Sequence, residues 1–425
     1  MVHVMDYQHV PRKDILCIDV KSFFASVECV SRGLNPLTTF LVVMSHPENS
    51  GGLVLAATPL MKKVFGIQTG ARRYELPNDP RIIVAPPRMK HYLAVNSQIR
   101  AVFLRYVPKE YFLPYSIDEV FLDVTGSHRL FGTTTRIAEQ IQADILKETG
   151  LYVTCGIGDN LLLAKLALDI ESKHSFTRRA EWRYENVPEK VWRIKKLTDF
   201  WGIGERMGRK LRDIGINSIY ELSQTEPGLL KKHFGVIGQQ LYYHAHGLDY
   251  SRINETYKPI EKSFGKNQIL ERDYKDAKEV VIVIKEMAEE MASRLRKNFV
   301  DTNRVFLSIG YSKYSPIRGF RHQIKIQPTD SSVRLKAILE MLFWKYYQQQ
   351  SVRVIAISFG GIALKKGLQL NLFENPIKTL QMEQLERTID KIRARYGYKA
   401  LMHASSLSSG ATGMKRSTYI GGHQG

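Results

Sequence analysis

Residues 115–124, YSIDEVFLDV, set two adjacent acids, Asp118 and Glu119, between apolar runs. Neighbouring side chains on a regular strand point to opposite faces, so both acids can serve one site only where the chain turns. Phe112-Leu113-Pro114-Tyr115 and Val120-Phe121-Leu122 supply the two arms of such a hairpin. Another apolar run, Ile15-Leu16-Cys17-Ile18, ends in Asp19, a third carboxylate that a neighbouring strand end could deliver. Three carboxylates on strand ends point to Mg²⁺, because hard divalent cations take oxygen ligands and pairs roughly 3.5–4 Å apart are a recurrent solution for phosphoryl transfer. An Asp-Glu pair on a turn is by itself more often merely solvated, so this reading depends on its company.

That company is largely basic. Pro59 suits the first turn of a helix carrying Lys62 and Lys63, and a second helix after Gly158-Asp159-Asn160 carries Lys165. Lysines on helices beside carboxylate-bearing strands are candidate triphosphate ligands, although such lysines are commonly solvated. Phe200-Trp201-Gly202-Ile203-Gly204 precedes a helix over residues 206–214 with Arg209, Lys210 and Arg212. Glycines ahead of a helix N-terminus let backbone N–H groups face an anion, as in a helix-hairpin-helix grip on DNA phosphate that is indifferent to sequence. Gln369-Leu370-Asn371-Leu372-Phe373 is a short peptide with three apolar anchors, suited to a partner's hydrophobic groove or to an ordinary last strand. Asp123 lies beyond the turn on the second arm and reads as structural, as do His244 and His246, whose spacing does not share a helix face. Cys17, Cys29 and Cys155 have no metal-ligand spacing and read as core.

The elements that must position these residues come from a chain of 425 residues, long enough for two to four domains, with net charge +20 and pI near 9.7. Such a balance points to a polyanionic partner, nucleic acid first and anionic membrane second. No stretch approaches the ~20 apolar residues of a membrane span and the N-terminus is polar, which predicts a cytoplasmic protein. Strand 15–20, a helix bearing Phe24 and Val27, strands 40–44 and 53–57, the acidic hairpin, a helix over 131–149 and strand 151–157 predict an α+β layer with its helices on one face. From residue 173 the composition shifts to short helix-prone segments, predicting a new domain, and residues 250–262 read as a polar tether. Beyond it, strand, helix, two strands, helix and strand form a split βαβ module. Residues 262–373 hold 20 Lys and Arg against 10 Asp and Glu, half the chain's excess charge, with no catalytic constellation. A DNA-gripping domain fits that better than a second enzyme. A last helix spans 380–396, and residues 405–425, rich in Ser, Gly and Thr, read as flexible.

Taken together, Asp19-Val20-Lys21-Ser22-Phe23-Phe24-Ala25-Ser26-Val27-Glu28, Lys62-Lys63-Val64-Phe65-Gly66-Ile67, Ser116-Ile117-Asp118-Glu119, Gly156-Ile157-Gly158-Asp159-Asn160 with Ala164-Lys165-Leu166-Ala167, and Gly202-Ile203-Gly204 resemble a Y-family (lesion-bypass) DNA polymerase of the UmuC-like branch (ImpB/MucB/SamB type) found in Gram-positive bacteria. The match runs in order along nearly the whole chain. It implies a multidomain α+β right hand: a ferredoxin-like palm (1–22 and 86–172), small fingers (23–85), a helical thumb with the helix-hairpin-helix (173–250), a linker (251–261), a βαββαβ little finger (262–368), a clamp-binding peptide (369–373) and a partly flexible tail (374–425).

The resemblance implies template-directed translesion synthesis in DNA repair and the SOS response, with low fidelity and no proofreading. It assigns Asp19, Asp118 and Glu119 as catalytic, and these with the Val20 carbonyl as ligands of two Mg²⁺ ions, for which Mn²⁺ can substitute. Phe23, Phe24, Lys63 and Lys165 would bind the dNTP, Phe24 as the steric gate that excludes a ribose 2′-OH. Gly202, Gly204 and Lys210 would hold primer-template DNA, and Gln369, Leu370, Leu372 and Phe373 the sliding clamp. It implies a monomer near the nucleoid. Two positions depart from the family: Leu60 stands where relatives often carry Tyr, and Lys63 replaces a common Arg, losing a bidentate fork. A non-catalytic DNA- and clamp-binding regulator with the same fold is the alternative; a cyclase-type nucleotidyl transferase is disfavoured by the basic downstream module.

Overall fold

The computed structural model describes residues 5–49, 51–255, 259, 261–367 and 375–424. The chain divides into two units, Met1–Thr256 with His423–Gly425, and Tyr257–Gly422.

In the first unit, β1 (Ile15–Val20) is followed by α1 (Phe23–Val30), β2 (Leu41–Ser45), β3 (Leu53–Ala57), α2 (Pro59–Phe65), β4 (Ile83–Ala85) and α3 (Met89–Tyr106). Then come β5 (Phe112–Pro114), β6 (Glu119–Asp123), α4 (His128–Phe131), α5 (Thr134–Thr149), β7 (Val153–Gly158), α6 (Leu161–Leu166) and β8 (Arg179–Trp182). The main sheet has the order β5-β6-β1-β7-β8, with β1 antiparallel to both neighbours and β8 parallel to β7. Residues paired across an antiparallel ladder share a face, so the registers Asp19↔Glu119 and Asp19↔Thr154 set these three side by side. The C-terminal end of β1 and the N-terminal ends of β6, β7 and β8 therefore form one rim.

The sheet is covered on both faces, not the one face expected from the element order. Apolar residues of β1 and β7 are buried along their whole lengths, and α6 lies directly over Gly156 and Gly158. A Cβ on Gly156 would sit 2.0 Å from the Ala164 carbonyl oxygen, and one on Gly158 2.3 Å from the Ala164 nitrogen. Only glycine permits that approach. The alternate side chains of β7 point away from α6, to the face covered by α5, with which α3 packs. The sheet also runs past the boundary expected at residue 173, because β8 adds to β7 through the register Cys155↔Arg179.

A three-stranded sheet, β3-β2-β4, packs with α2 around Val42, Met44, Val54 and Met61. Helices α7 (Glu205–Asp213), α8 (Ile219–Gln224), α9 (Pro227–Phe234) and α10 (Val236–Ala245) enclose a core with Trp192, Phe200, Ile203, Leu211, Leu230 and Leu241. His244 and His246 are buried there, and His246 Nε2 lies 3.0 Å from the Ser223 carbonyl oxygen, a structural contact.

The second unit contains β9 (Phe264–Tyr274), α11 (Ala277–Lys297), β10 (Val300–Tyr311), β11 (Gly319–Thr329), α12 (Ser332–Tyr346) and β12 (Val352–Gly360), in sheet order β11-β10-β12-β9. Alternation along β10 buries Val305, Leu307 and Ile309 beneath α11 and α12 and leaves Phe306 and Ser308 on the other face. Arg321 and Lys325 on β11 pair with Ser308 and Arg304, so the open face is basic.

The helix expected over 380–396 begins at Pro376, and part of the segment expected to be flexible, 405–425, is hydrogen-bonded to the preceding module. Helix α13 (Pro376–Tyr396) is tied down by Arg296, whose guanidinium contacts both Asp390 oxygens at 2.6 and 3.0 Å, and by Arg393 on Glu289 at 2.8 Å. Further on, the Gly410 carbonyl accepts from the Tyr274 hydroxyl at 3.1 Å and the Thr412 N–H donates to Glu286 at 3.0 Å. Buried ion pairs and hydrogen bonds hold a segment whose composition alone would leave it loose.

Candidate active site

The acidic turn is built by Ser116. Its hydroxyl donates to Asp118 Oδ1 at 2.6 Å and accepts from the N–H groups of Asp118 and Glu119 at 3.2 and 3.1 Å. The Val20 N–H donates to the Asp118 carbonyl at 2.9 Å, which joins the end of β1 to the turn, and Asn96 of α3 donates to the Ile117 carbonyl. Asp19, Val20, Asp118 and Glu119 are thus gathered at the rim by backbone hydrogen bonds and register.

A chain of charge links two of the acids. Lys165 Nζ lies 2.6 Å from Glu119 Oε1 and 3.0 Å from Asp169. The other Asp169 oxygen is 2.7 Å from Lys173, which lies 3.9 Å from Asp19. Lys165, Asp169 and Lys173 are spaced four apart and so line up along the helix that continues from α6 through a π-turn over Ala167–Ser172. The Cys17 thiol donates to Glu119 Oε1 at 3.2 Å, and its pKa is raised well above the ordinary value by burial and then by Glu119. Burial alone would lower the pKa of Lys165, but its bond to Glu119 and the nearby acids raise it. For Asp19, burial is the largest effect and pushes the carboxyl up to about 7, with Asp118 and Glu119 adding to the rise and Lys173 opposing it.

Asp123 faces the same side of the sheet as Glu119, but its carboxylate is bound to Lys13 at 2.5 Å. Lys62 rather than Lys63 has a defined link to the rim: its Nζ donates to the Ser22 hydroxyl at 3.1 Å, and burial lowers its pKa, partly offset by Asp19. Both lysines are exposed along α2, and Leu60 is half-buried at its start. Lys62 was visible in the sequence beside Lys63. Lys21 lies within the Asp19–Glu28 motif with no role assigned to it, and no local motif marks Lys173, Asp169 or Arg178.

Ser22 adopts φ 52, ψ 50, a left-handed conformation that is uncommon for serine and concentrates at functional sites. It turns the chain into α1, where Phe23 is buried and Phe24 half-buried. The Phe24 ring stacks on Tyr92, with centroids 4.6 Å apart and planes 16° from parallel. The Tyr92 hydroxyl donates to Glu28 Oε1 at 2.8 Å, and Arg88 grips both Glu28 oxygens at 2.8 and 2.9 Å. Phe24 therefore stands on a braced platform.

The glycine turn docks on the same unit. Gly202 has φ +97, and Gly204 is the residue before α7, whose Arg206, Arg209, Lys210 and Arg212 are exposed. The Trp201 indole N–H donates to the Tyr115 hydroxyl at 3.3 Å. A cleft of about 480 Å³ lies between Tyr115, Asp169 and this turn. Gln369, Leu370, Leu372 and Phe373 lie outside the described residues.

No three acids, His or Cys converge as a ready-made metal cage among the described residues. The donors at the rim nevertheless suit a hard cation. Asp19, Asp118, Glu119 and the Val20 carbonyl offer only oxygen, and a Mg²⁺ site is ordinarily completed by substrate phosphate and water. A carboxyl held near pH 7 by burial is also one that a cation would ionise. This has a measurable consequence for stability. In the range between the unfolded value, near 3.8, and about 7, folded Asp19 keeps a proton that the unfolded chain releases, so its contribution becomes unfavourable as pH rises through that range and remains so above it. Asp19→Asn should therefore raise Tm in EDTA by several degrees at pH 8 and hardly at pH 4. Equal shifts at both pH values in thermal melts would contradict the burial argument.

The impB/mucB/samB family pattern matches residues 18–169, and that of the impB/mucB/samB family C-terminal domain residues 261–372. The pattern of the DNA polymerase-iota thumb domain matches residues 198–249. The chain is 42% identical over 422 residues to the putative UV-damage repair protein UvrX of Bacillus subtilis (strain 168), covering 99% of this chain and 100% of that protein. To DNA polymerase IV 2 of the same organism it is 34% identical over 416 residues, covering 97% and 98%. Among solved structures, the Y-family DNA polymerase chimera Dbh-Dpo4(243-245)-Dbh matches with TM-score 0.65 at 20% identity, over 83% of this chain and 99% of the chimera, a likeness of fold. No helix of the described residues is long and apolar enough to cross a membrane.

Proposed function

This chain belongs to the impB/mucB/samB group of Y-family DNA polymerases and is a DNA-directed DNA polymerase, and from that premise we propose that it copies damaged templates by transferring a nucleotide from dNTP to a primer 3′-OH at the Asp19–Asp118–Glu119 rim. The observation that carries this reading is the register of Asp19 against Glu119, with Asp118 fastened to Val20. Asp19, Asp118, Glu119 and the Val20 carbonyl would hold two Mg²⁺ ions, or Mn²⁺ in their place. When bound, the ions acidify the primer hydroxyl and neutralise the departing pyrophosphate.

The chain's own side chains supply the rest. Lys165 on α6 and Lys62 and Lys63 on α2 bring positive charge to the triphosphate. The exposed cations of α7 with the Gly202 and Gly204 turn grip the DNA backbone, and the basic sheet face bearing Arg321 and Lys325 takes the duplex. In domain terms, β1, β5–β8 and their covering helices form the palm, the β3-β2-β4 layer the fingers, α7–α10 the thumb and β9–β12 with α11 and α12 the little finger. Low fidelity, absence of proofreading and a cytoplasmic, nucleoid-associated life as a monomer accompany this reading. Extension across a template with a damaged base, where a high-fidelity polymerase stalls, tests the translesion part; stalling at the same base would reject it.

Phe24, braced by Tyr92, is the sugar gate: a rigid ring under the deoxyribose leaves no room for a 2′-OH. Phe24→Ala should lower the dNTP-over-rNTP preference in kcat/KM by about 10²-fold, on the order of 3 kcal/mol of discrimination. Unchanged sugar selectivity would remove the gate assignment. Residues 369–373 would tether the enzyme to a sliding clamp, raising its local concentration at the primer end. Deleting them should abolish stimulation by the clamp and leave basal synthesis intact, whereas equal stimulation would discard that partner.

A further inference from the structure

Phe176 is 98% exposed, the most exposed large apolar side chain among the described residues. It stands at the tip of a short loop between the π-turn and β8, and that loop is not loose. The Ser175 N–H donates to the Glu171 and Ser172 carbonyls at 3.1 and 3.2 Å, and the Ser175 and Thr177 hydroxyls lie 2.9 Å apart. The Arg178 carbonyl accepts from the Cys155 N–H at 2.8 Å and the Gln142 amide at 3.2 Å. Arg178 itself sits at φ 57, a conformation disfavoured for a side-chain-bearing residue and held here by those bonds. A well-anchored loop with a strained hinge thus presents one aromatic ring to solvent.

Its location is the second observation. Arg178 lies level with Thr154, which pairs with Asp19, so the loop shares the rim with the carboxylates at about two strand spacings, on the order of 10 Å. Both ends of the loop are cationic: Lys173 is 3.9 Å from Asp19, and the Arg178 guanidinium lies 5.2 Å from the Tyr152 ring centroid. Lys21, next along the rim, donates its backbone N–H to the Tyr152 carbonyl at 2.9 Å. A protein partner would need a contiguous apolar patch, and Phe176 stands alone among positive charge. Aromatic rings interleaved with cations are instead how a nucleic-acid strand is held, bases or sugars against the ring and phosphates against the charges.

We infer that Phe176 contacts the DNA strand whose 3′ end reaches the Asp19–Glu119 rim, packing against a base or sugar within its last few nucleotides while Lys173, Arg178 and Lys21 meet its phosphates. The inference rests on the polymerase reading and adds a contact to it. The ring fixes the strand end sideways, where the carboxylates need the terminal hydroxyl.

The test measures primer-template affinity by fluorescence anisotropy for the full chain, Phe176→Ala and Lys173→Met across a salt series. Phe176→Ala should weaken binding about 10-fold without changing the salt slope, because an apolar contact releases no counterion. Lys173→Met should reduce the slope by about one. With 2-aminopurine placed in turn at the last four primer positions, the fluorescence change on binding should be lost in Phe176→Ala at one of them. Unchanged affinity and unchanged signal at every position would overturn the inference, as would an altered oligomeric state of Phe176→Ala at constant DNA affinity. Failure of the wild-type chain to incorporate any nucleotide would sink the polymerase reading itself; an active wild type with an indifferent Phe176→Ala removes this contact alone.

Discussion

Asp118→Asn is expected to lower the single-turnover rate of nucleotide incorporation at least about 10³-fold, equivalent to roughly 4 kcal/mol of transition-state stabilisation, while primer-template affinity stays within about threefold. The substitution is nearly isosteric, and the backbone bonds from Val20 to the Asp118 carbonyl and from the Asp118 N–H to Ser116 do not involve the carboxylate. What it removes is charge at the rim, which the proposed two-cation transfer would need to balance its metals and the leaving pyrophosphate. Asp118 reaches this place on a turn whose hydrogen bonds come from Ser116 and Val20, so the turn survives the change. Rapid-quench incorporation at saturating dNTP would measure the effect. A variant within tenfold of wild type would show that Asp118 is not part of the reacting centre.

Gly156→Ala is expected to destabilise the first unit by about 3 kcal/mol or more, a Tm loss on the order of 10 °C. Its Cβ would lie 2.0 Å from the Ala164 carbonyl oxygen and 2.4 Å from the Leu168 nitrogen, both backbone atoms that no rotamer change can move. The helix must lift or the strand must bow. Lifting it also withdraws Lys165 from Glu119, since 2.6 Å leaves no slack for a displaced helix. Catalysis should therefore fall even below the melting range. Thermal denaturation followed by circular dichroism decides the stability part, and a Tm within about 2 °C of wild type would contradict the packing described.

Much of the site could be read from residues alone, and what could not has identifiable causes. Strand ends, acidic turn and glycine signals are local: Asp19 follows four apolar residues, Asp118 and Glu119 sit between two short strands, and Gly156 and Gly158 precede a helix that needs them. Lys173 carries no local signal, because it meets Asp19 only where the helix running from α6 through Ser172 packs on β1. Lys62 and Lys63 are adjacent, and which one faces the rim is decided by how the buried Met61 seats α2 on its sheet. Residues 405–425 read as flexible because Ser and Gly dominate them, yet Tyr274 and Gly410 are 136 residues apart in sequence and meet in the fold. Strand β8 is likewise silent in the sequence. It is four residues long and finds its place only by joining β7.

Templated nucleotidyl transfer at the Asp19–Asp118–Glu119 rim is measured most directly by single-nucleotide incorporation by the purified chain on four primer-templates that differ only in the templating base, with Mg²⁺ and each dNTP in turn. Every template should be extended by its complementary dNTP in preference to the other three, and none should be extended by Asp19→Asn. Salt-dependent binding of all four primer-templates with no incorporation of any nucleotide would contradict it and leave a DNA-binding protein that retains only the polymerase fold.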